Sequence, residues 1–335
     1  MPDPFGAFSW ICSHTPLPHC NLFFQQLFEN GGGQGLVRIF PASSDFFNQY
    51  NVTANNVSDD PNVLAARTQA GVGVGSQCEI PHVGNRGSVG DVALVVISGL
   101  STFFALYLVW HATRRRAAVG RSELRLFLLA YALHSALQTV TMSSMVEQAS
   151  TAIGVLSAIH VGVIASLFWI LLGNGLIATQ IVEDGTPAAL VPMCIIAILF
   201  FVPTLYISLD TTFSWSHTFH MDGQEVSNLS NIALFVLTLV WPAIAAVAYL
   251  VIMLIIVLRV LNEFKPALLY SLSFALFAGA QIVFFLASQP LCKASNGKIN
   301  SSFISTILDT AAVGVLYLAW KSITEDDWGD EYDMY

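Results

Sequence analysis

Charge is the scarcest property of this sequence. Only 10% of its 335 residues are Asp, Glu, Lys or Arg, against about 25% in an ordinary soluble domain. That shortage, with 55% hydrophobic residues, excludes a fold wrapped in a charged shell and points to a polytopic membrane protein. Positive charge is rarest: 13 Lys and Arg stand against 22 Asp and Glu, a formal charge of −9. Nucleic acid is therefore not an expected partner, since phosphate recognition needs clustered cations. The acids lie mostly outside the apolar blocks, so the imbalance describes loops and tail. Motifs of chemistry are missing too. There is no G-x-G-x-x-G, no P-loop Lys-Ser/Thr and no G-x-S-x-G elbow. Gly71 to Gly75 reads as a flexible linker, and His217, His220 and Asp222 as a surface turn. No catalytic, cofactor or metal site is expected. The N-terminus also lacks the basic and apolar regions of a cleavable signal peptide.

Long apolar runs are what the sequence does have. Residues 1–90 are mixed and rich in Gly, Asn, Asp and Pro; apolar blocks follow at roughly 91–112, 124–146, 152–182, 188–209, 230–258, 267–288 and 303–321. Each can cross a core of about 30 Å at about 1.5 Å per residue. The expected fold class is an all-α membrane protein of seven transmembrane helices. It divides into a lumenal N-terminal segment (1–90), a seven-helix domain (91–321) and an acidic cytosolic tail (322–335).

Arg114, Arg115, Arg116, Arg121 and Arg125 crowd the loop after the first block, which makes that loop cytoplasmic by the positive-inside rule. The N-terminus is then lumenal and the C-terminus cytosolic, with Lys293 and Lys298 as minor exceptions. The four N-x-Ser/Thr sites, at Asn51, Asn56, Asn228 and Asn300, all fall on the lumenal side. Asn51 and Asn56, far from a membrane boundary, are the expected glycan acceptors. Cys12, Cys20, Cys78 and Cys292 share that oxidising side and should form two disulfides. Three pairings are open; Cys12–Cys20 with Cys78–Cys292 is the favoured one, leaving Cys194 a thiol within the fourth block.

Polar and small residues interrupt the apolar blocks at helical spacing. Gly162, Ser166, Trp169, Gly173, Leu176 and Gln180 share a face of the third block; Ser305, Asp309, Ala312, Leu316 and Ala319 share one in the seventh. Ser271, Ala275 and Gly279 repeat every fourth residue in the sixth. Such faces pack helices closely in lipid, either within the bundle or against a partner's transmembrane helix. Asp309 needs a partner at its depth, and a hydrogen bond to His160 is expected, with His134 deeper in the second block. A competing function class is a heptahelical transporter or receptor using the Asp309 region. Against it, the third block ends Ile181-Val182-Glu183 without an Asp/Glu-Arg-Tyr triplet, the seventh has no Asn-Pro-x-x-Tyr, and Lys321 lies at a helix end rather than mid-span.

Three stretches carry a resemblance. Ile11-Cys12-Ser13-His14-Thr15-Pro16-Leu17-Pro18-His19-Cys20, then Phe168-Trp169-Ile170-Leu171-Leu172-Gly173-Asn174-Gly175 running through Gln180 to Glu183-Asp184-Gly185-Thr186-Pro187, and Trp320-Lys321-Ser322-Ile323-Thr324-Glu325-Asp326-Asp327-Trp328 resemble the signatures of the fungal chitin synthase export chaperones. The match covers 9–20 and most of 78–328 and fades over about 25–77. The resemblance implies a non-catalytic, multi-pass protein of the endoplasmic reticulum membrane. Its client would be a chitin synthase, which must leave that compartment to support cell-wall synthesis. Partner-binding residues are then expected at Trp169, Asn174 and Gln180 in the membrane. On the cytosolic face they are Glu183, Asp184, Glu325, Asp326, Asp327 and Trp328, opposite basic patches of the synthase. Lipids surround the bundle, and export-coat machinery is a further candidate reader of the acidic tail. No Lys-rich retrieval signal or terminal His/Lys-Asp-Glu-Leu address closes the sequence, so onward travel with the client is compatible with it.

Overall fold

A bilayer core holds no water for unpaired N–H and C=O groups, so apolar runs of this length form helices. A computed structural model of the chain describes residues 4–29, 90–115, 119–143, 145–146, 150–216, 218–219, 229–296 and 298–324, with backbone alone for 24–29. Two short helices come first, α1 (Ser9–His14) and α2 (Pro18–Glu29). The bundle follows as α3 (Val92–Arg114), α4 (Arg121–Thr141), α5 (Thr151–Ala178), α6 (Pro187–Phe213), α7 (Ile232–Val260) and α8 (Phe264–Leu286). The short α9 (Ser288–Ala294) leads into α10 (Ser301–Ile323).

Six of these helices, α3, α5, α6, α7, α8 and α10, are long and apolar enough to cross a membrane. The second predicted block forms α4, which has 21 residues and packs between α3 and α5. It is not among the six: Arg121, Glu123 and Arg125 open it and His134, Ser135, Gln138 and Thr139 stud its second half. The third block is shorter than expected. Its helix stops at Ala178, and Gln180 turns into the left-handed region at φ 61°, so Gln180 is exposed outside the helix rather than on its polar stripe.

Side chains close the helix starts. Ser150 Oγ accepts from Ile153 N–H (3.3 Å) at α5, and Asn231 Oδ1 from Leu234 N–H (3.0 Å) at α7. Asp91 and Asn300 cap α3 and α10 and also join them, Asn300 Nδ2 donating to Asp91 Oδ2 at 2.8 Å. Asn300 is buried in that bond, which leaves its amide no room for a glycan. Inside α7 the turn Val236–Val240 widens to π spacing just before Pro242, which lacks an N–H for the regular ladder.

α5 is the most enclosed helix, packed against α4, α6, α7 and α2. α8 lies along α10, and α10 returns to α3. One end of the bundle carries the arginine-rich loop after α3 and is called the basic end here; α1 and α2 fold over the other as a cap.

Candidate functional site

The basic end is held by carboxylates on backbone N–H groups. Glu123, fully buried at the start of α4, accepts from Gly185 N–H (2.7 Å). Asp184 returns the contact, accepting from Gly120 N–H (2.7 Å). Gly120 and Gly185 stand at φ 68° and 69°, a conformation that favours glycine over any side chain. Asn174 Nδ2 donates to the Glu123 carbonyl (3.0 Å), and Trp320 Nε1 to the Val119 carbonyl (2.8 Å). Residues from α5, the α5–α6 turn and α10 therefore converge on the stretch 119–123. Charge-assisted bonds of this kind are about twice as strong as neutral ones.

The predicted partner residues separate on this geometry. Asn174 and Asp184 are engaged inside the chain, while Glu183 beside them is exposed. Trp169 turns to α6 and donates to the Met193 carbonyl at 3.0 Å. Glu325, Asp326, Asp327 and Trp328 lie outside the described residues, as do Asn51, Asn56, Cys78, His217, His220 and Asp222. Glu123 is absent from the residues expected from sequence; its one signal there is an acid set directly among arginines.

Packing decides among the three small-residue faces. A Cβ on Gly162 would meet the Phe201 ring at 3.0 Å, one on Gly173 the Met193 side chain at 3.3 Å, and one on Gly175 the Tyr249 ring at 2.9 Å. Ser166 Oγ donates to the Ala197 carbonyl (2.9 Å). The α5 face is thus filled by α6 and α7. The α10 face is turned inward: Ser305, Ala312, Leu316 and Ala319 are buried, Ser273 donates to the Ala312 carbonyl (2.8 Å), and part of the face borders an internal cavity. On α8 the outcome differs. Ser271 and Ala275 are exposed, and a Cβ on Gly279 would meet nothing within 4 Å.

The cap carries a disulfide, Cys12–Cys20, with Cα atoms 5.6 Å apart. Cys292 is also disulfide-bonded, and Cys194 is a free thiol. Asn21 anchors the cap to the bundle, donating to the Thr141 carbonyl (3.0 Å) and Ser157 Oγ (3.1 Å). The 6–8 segment joins the start of α7 through Phe8 N–H to the Leu229 carbonyl (3.2 Å) and Asn231 N–H to the Gly6 carbonyl (3.0 Å). His19 is 2% exposed and stacks on Phe8 at 5.7 Å. Its ring nitrogens have no partner among the described residues, and burial lowers its pKa to about 3.

Below the cap, α4, α5, α7, α8 and α10 enclose a cavity of about 550 Å³. The expected His160–Asp309 bond does not form. His160 instead bonds Thr141 Oγ1 (2.8 Å) and His134 Nδ1 (3.0 Å), while Asp309 Oδ1 is buried without a partner among the described residues. Similar depth on two helices does not put the two side chains on facing azimuths. The neighbours of Asp309 on α10 are engaged: Gln138 donates to Thr306 Oγ1 (3.0 Å), and Tyr131 bonds Thr310 Oγ1 (3.0 Å).

Compared with known proteins, residues 4–333 match the profile of the chitin synthase export chaperone family. This chain belongs to that family. It is 25% identical over 323 residues to a Chitin synthase export chaperone of Chaetomium globosum, covering 96% of this chain and 83% of that one. To that of Cryptococcus neoformans var. neoformans the identity is 27% over 330 residues, 96% of this chain and 75% of the relative. To that of Neurospora crassa it is 24% over 327 residues, 96% and 77%. The signature stretches by which the sequence resembles this export chaperone family thus include the residues that tie the basic end together, Asn174, Asp184, Gly185 and Trp320.

Proposed function

We propose that this chain is an escort that binds a chitin synthase in the endoplasmic reticulum membrane and enables its export for cell-wall synthesis. The observation that carries this reading is the outer face of α8. Ser271, Ala275 and Gly279 form a small-residue strip with no partner among the described residues, on a helix apolar enough to lie in a membrane. Small residues let a second helix approach until backbones touch, so this strip suits a transmembrane helix of the synthase. The family's role as a chitin synthase export chaperone supports the identity of that client.

In this reading α4 is a seventh crossing shielded by its neighbours, with the cap lumenal, the basic end cytosolic, and Asn51 and Asn56 glycosylated. Trp169, Asn174 and Asp184 serve binding indirectly, by fixing the shape of the surface. Exposed Glu183 and the acids Glu325, Asp326 and Asp327, with Trp328, meet the client's cytosolic face. The tail is also the segment suited to export-coat machinery, and onward travel with the synthase fits the same picture. The escort acts without catalysis. In the competing transporter or receptor reading, the Asp309 cavity would be the working site and no synthase would be bound.

Affinity purification of the tagged protein in mild detergent separates the two readings. A chitin synthase should co-purify with the wild type and be lost from the Ala275→Phe, Gly279→Phe double variant, whose changes point away from the bundle. A wild-type protein that purifies without synthase overturns the escort reading.

A further inference from the structure

The polar groups of the cavity have a defined hydrogen-bonding sense. Thr141 Oγ1 donates to the Leu137 carbonyl (2.9 Å), so toward His160 Nδ1 (2.8 Å) it can only accept. His160 Nδ1 then carries the proton, and with both rings neutral its Nε2 accepts from His134 Nδ1–H (3.0 Å). His134 Nε2 is left as an acceptor, without a partner among the described residues, on the cavity wall. Asp309 supplies further acceptor oxygens at the same level. It lies between Thr306 and Thr310, which pair with Gln138 and Tyr131 on either side of His134. No Lys or Arg lines the cavity among the described residues. A carboxylate so placed is costly to bury unless a donor, best a cationic one, meets it.

Beyond these groups the wall carries His19 and Gln281 as further polar side chains and is otherwise largely apolar and aromatic, with Phe127, Phe168, Phe277 and Phe284 among its rings. The volume of about 550 Å³ falls within the roughly 300–1,000 Å³ usual for small-ligand sites. α7 and α8 meet at the Tyr249–Tyr270 ring pair toward the basic end (6.2 Å). Nearer the cap, Ala243 of α7 is exposed and also lines the cavity, the point at which an amphiphile could enter beside α7.

We infer that this cavity binds a single-chain amphiphile with a protonated primary amine head, the ammonium on Asp309 and His134 and the hydrocarbon among the phenylalanines. An ammonium has three donors and no acceptor, matching two acceptor groups that no side chain in the wall satisfies. An alcohol offers one donor and no charge. Aromatic faces add cation–π attraction. This site is separate from the outer face of α8 and does not depend on a bound synthase.

The full-length protein, reconstituted in nanodiscs, is photolabelled with hexadecylamine carrying a diazirine in its chain and with the matching hexadecanol. Labelled peptides are then mapped. The amine should label α7 and α8 peptides of the cavity saturably, about tenfold more strongly than the alcohol. Asp309→Asn should remove most of that preference. Should Asp309→Asn fail to fold, Ala243→Trp, at an exposed position of the cavity wall, should narrow the cavity and reduce saturable amine labelling of α7 and α8. Equal labelling by the alcohol, unchanged amine labelling in Asp309→Asn or in Ala243→Trp, or labels confined to outer helix faces would overturn the proposal.

Discussion

Asn174 and Gln180 lie six positions apart and read alike as polar residues in an apolar run, yet they have opposite surroundings. Asn174 bridges α5 to the first turn of α4 through the Glu123 carbonyl. Gln180 stands exposed at φ 61° beyond the helix. Asn174→Leu should therefore lower the melting temperature of the detergent-solubilised protein. The loss is on the order of the 0.6–2 kcal/mol typical of interhelical polar bonds in membranes. Gln180→Gly should raise it slightly, because glycine takes the left-handed conformation without the Cβ penalty of about 1 kcal/mol. Thermal unfolding of the two variants checks both signs, and equal effects would mean that Gln180 belongs to the packed interface. The sequence marks both positions as unusual, but the acceptor of Asn174 is a backbone carbonyl, which leaves no trace in residue identity. The same holds for Gly120 and Gly185, whose N–H groups take the carboxylates of Asp184 and Glu123.

Among elements, the apolar blocks were legible because lipid permits few alternatives to a helix. Which helix face stays unpartnered was not. The stripes on α5, α8 and α10 have similar spacing, and only their neighbours tell them apart: Phe201 and Met193 close the first, while in the second Ser271 and Ala275 are exposed and Gly279 faces open space. The Cys12–Cys20 pair was legible in the sequence, but the helices it joins, their place over the bundle and their electrostatics were not. An unfolded imidazole titrates near 6.5, whereas burial holds His19 at about 3. Between those values the unfolded cap binds the extra proton. His19 therefore leaves cap stability intact above about pH 6.5 and erodes it below, by at most about 1.4 kcal/mol per pH unit. Hydrogen exchange of α1 and α2 amides, corrected for intrinsic rate, should quicken from about pH 7.5 to about pH 5.5. His19→Phe should flatten that dependence. A wild-type cap insensitive to pH in this window would show that His19 is solvated.

For the whole molecule, one end is bound tightly to itself, while the small-residue strip of α8 lies on the outer surface. Charged groups at the basic end that could have faced a client, Asp184 and Glu123, are used internally, so in the escort reading client contact there would fall to Glu183 and the tail. Replacing Glu325, Asp326 and Asp327 with Ala should trap a tagged chitin synthase in the endoplasmic reticulum, while deleting 329–335 should be tolerated. Microscopy that finds export lost only in the deletion would reverse that assignment. The most direct measurement concerns the α8 face itself. A photocrosslinking residue is placed at position 275, and in a separate variant at position 100, which is equally outward but on α3 (Leu100 is 58% exposed). Irradiated fungal membranes should yield a chitin synthase adduct from position 275 and little from position 100. Adducts of equal strength from both positions, or none from 275, would contradict the account.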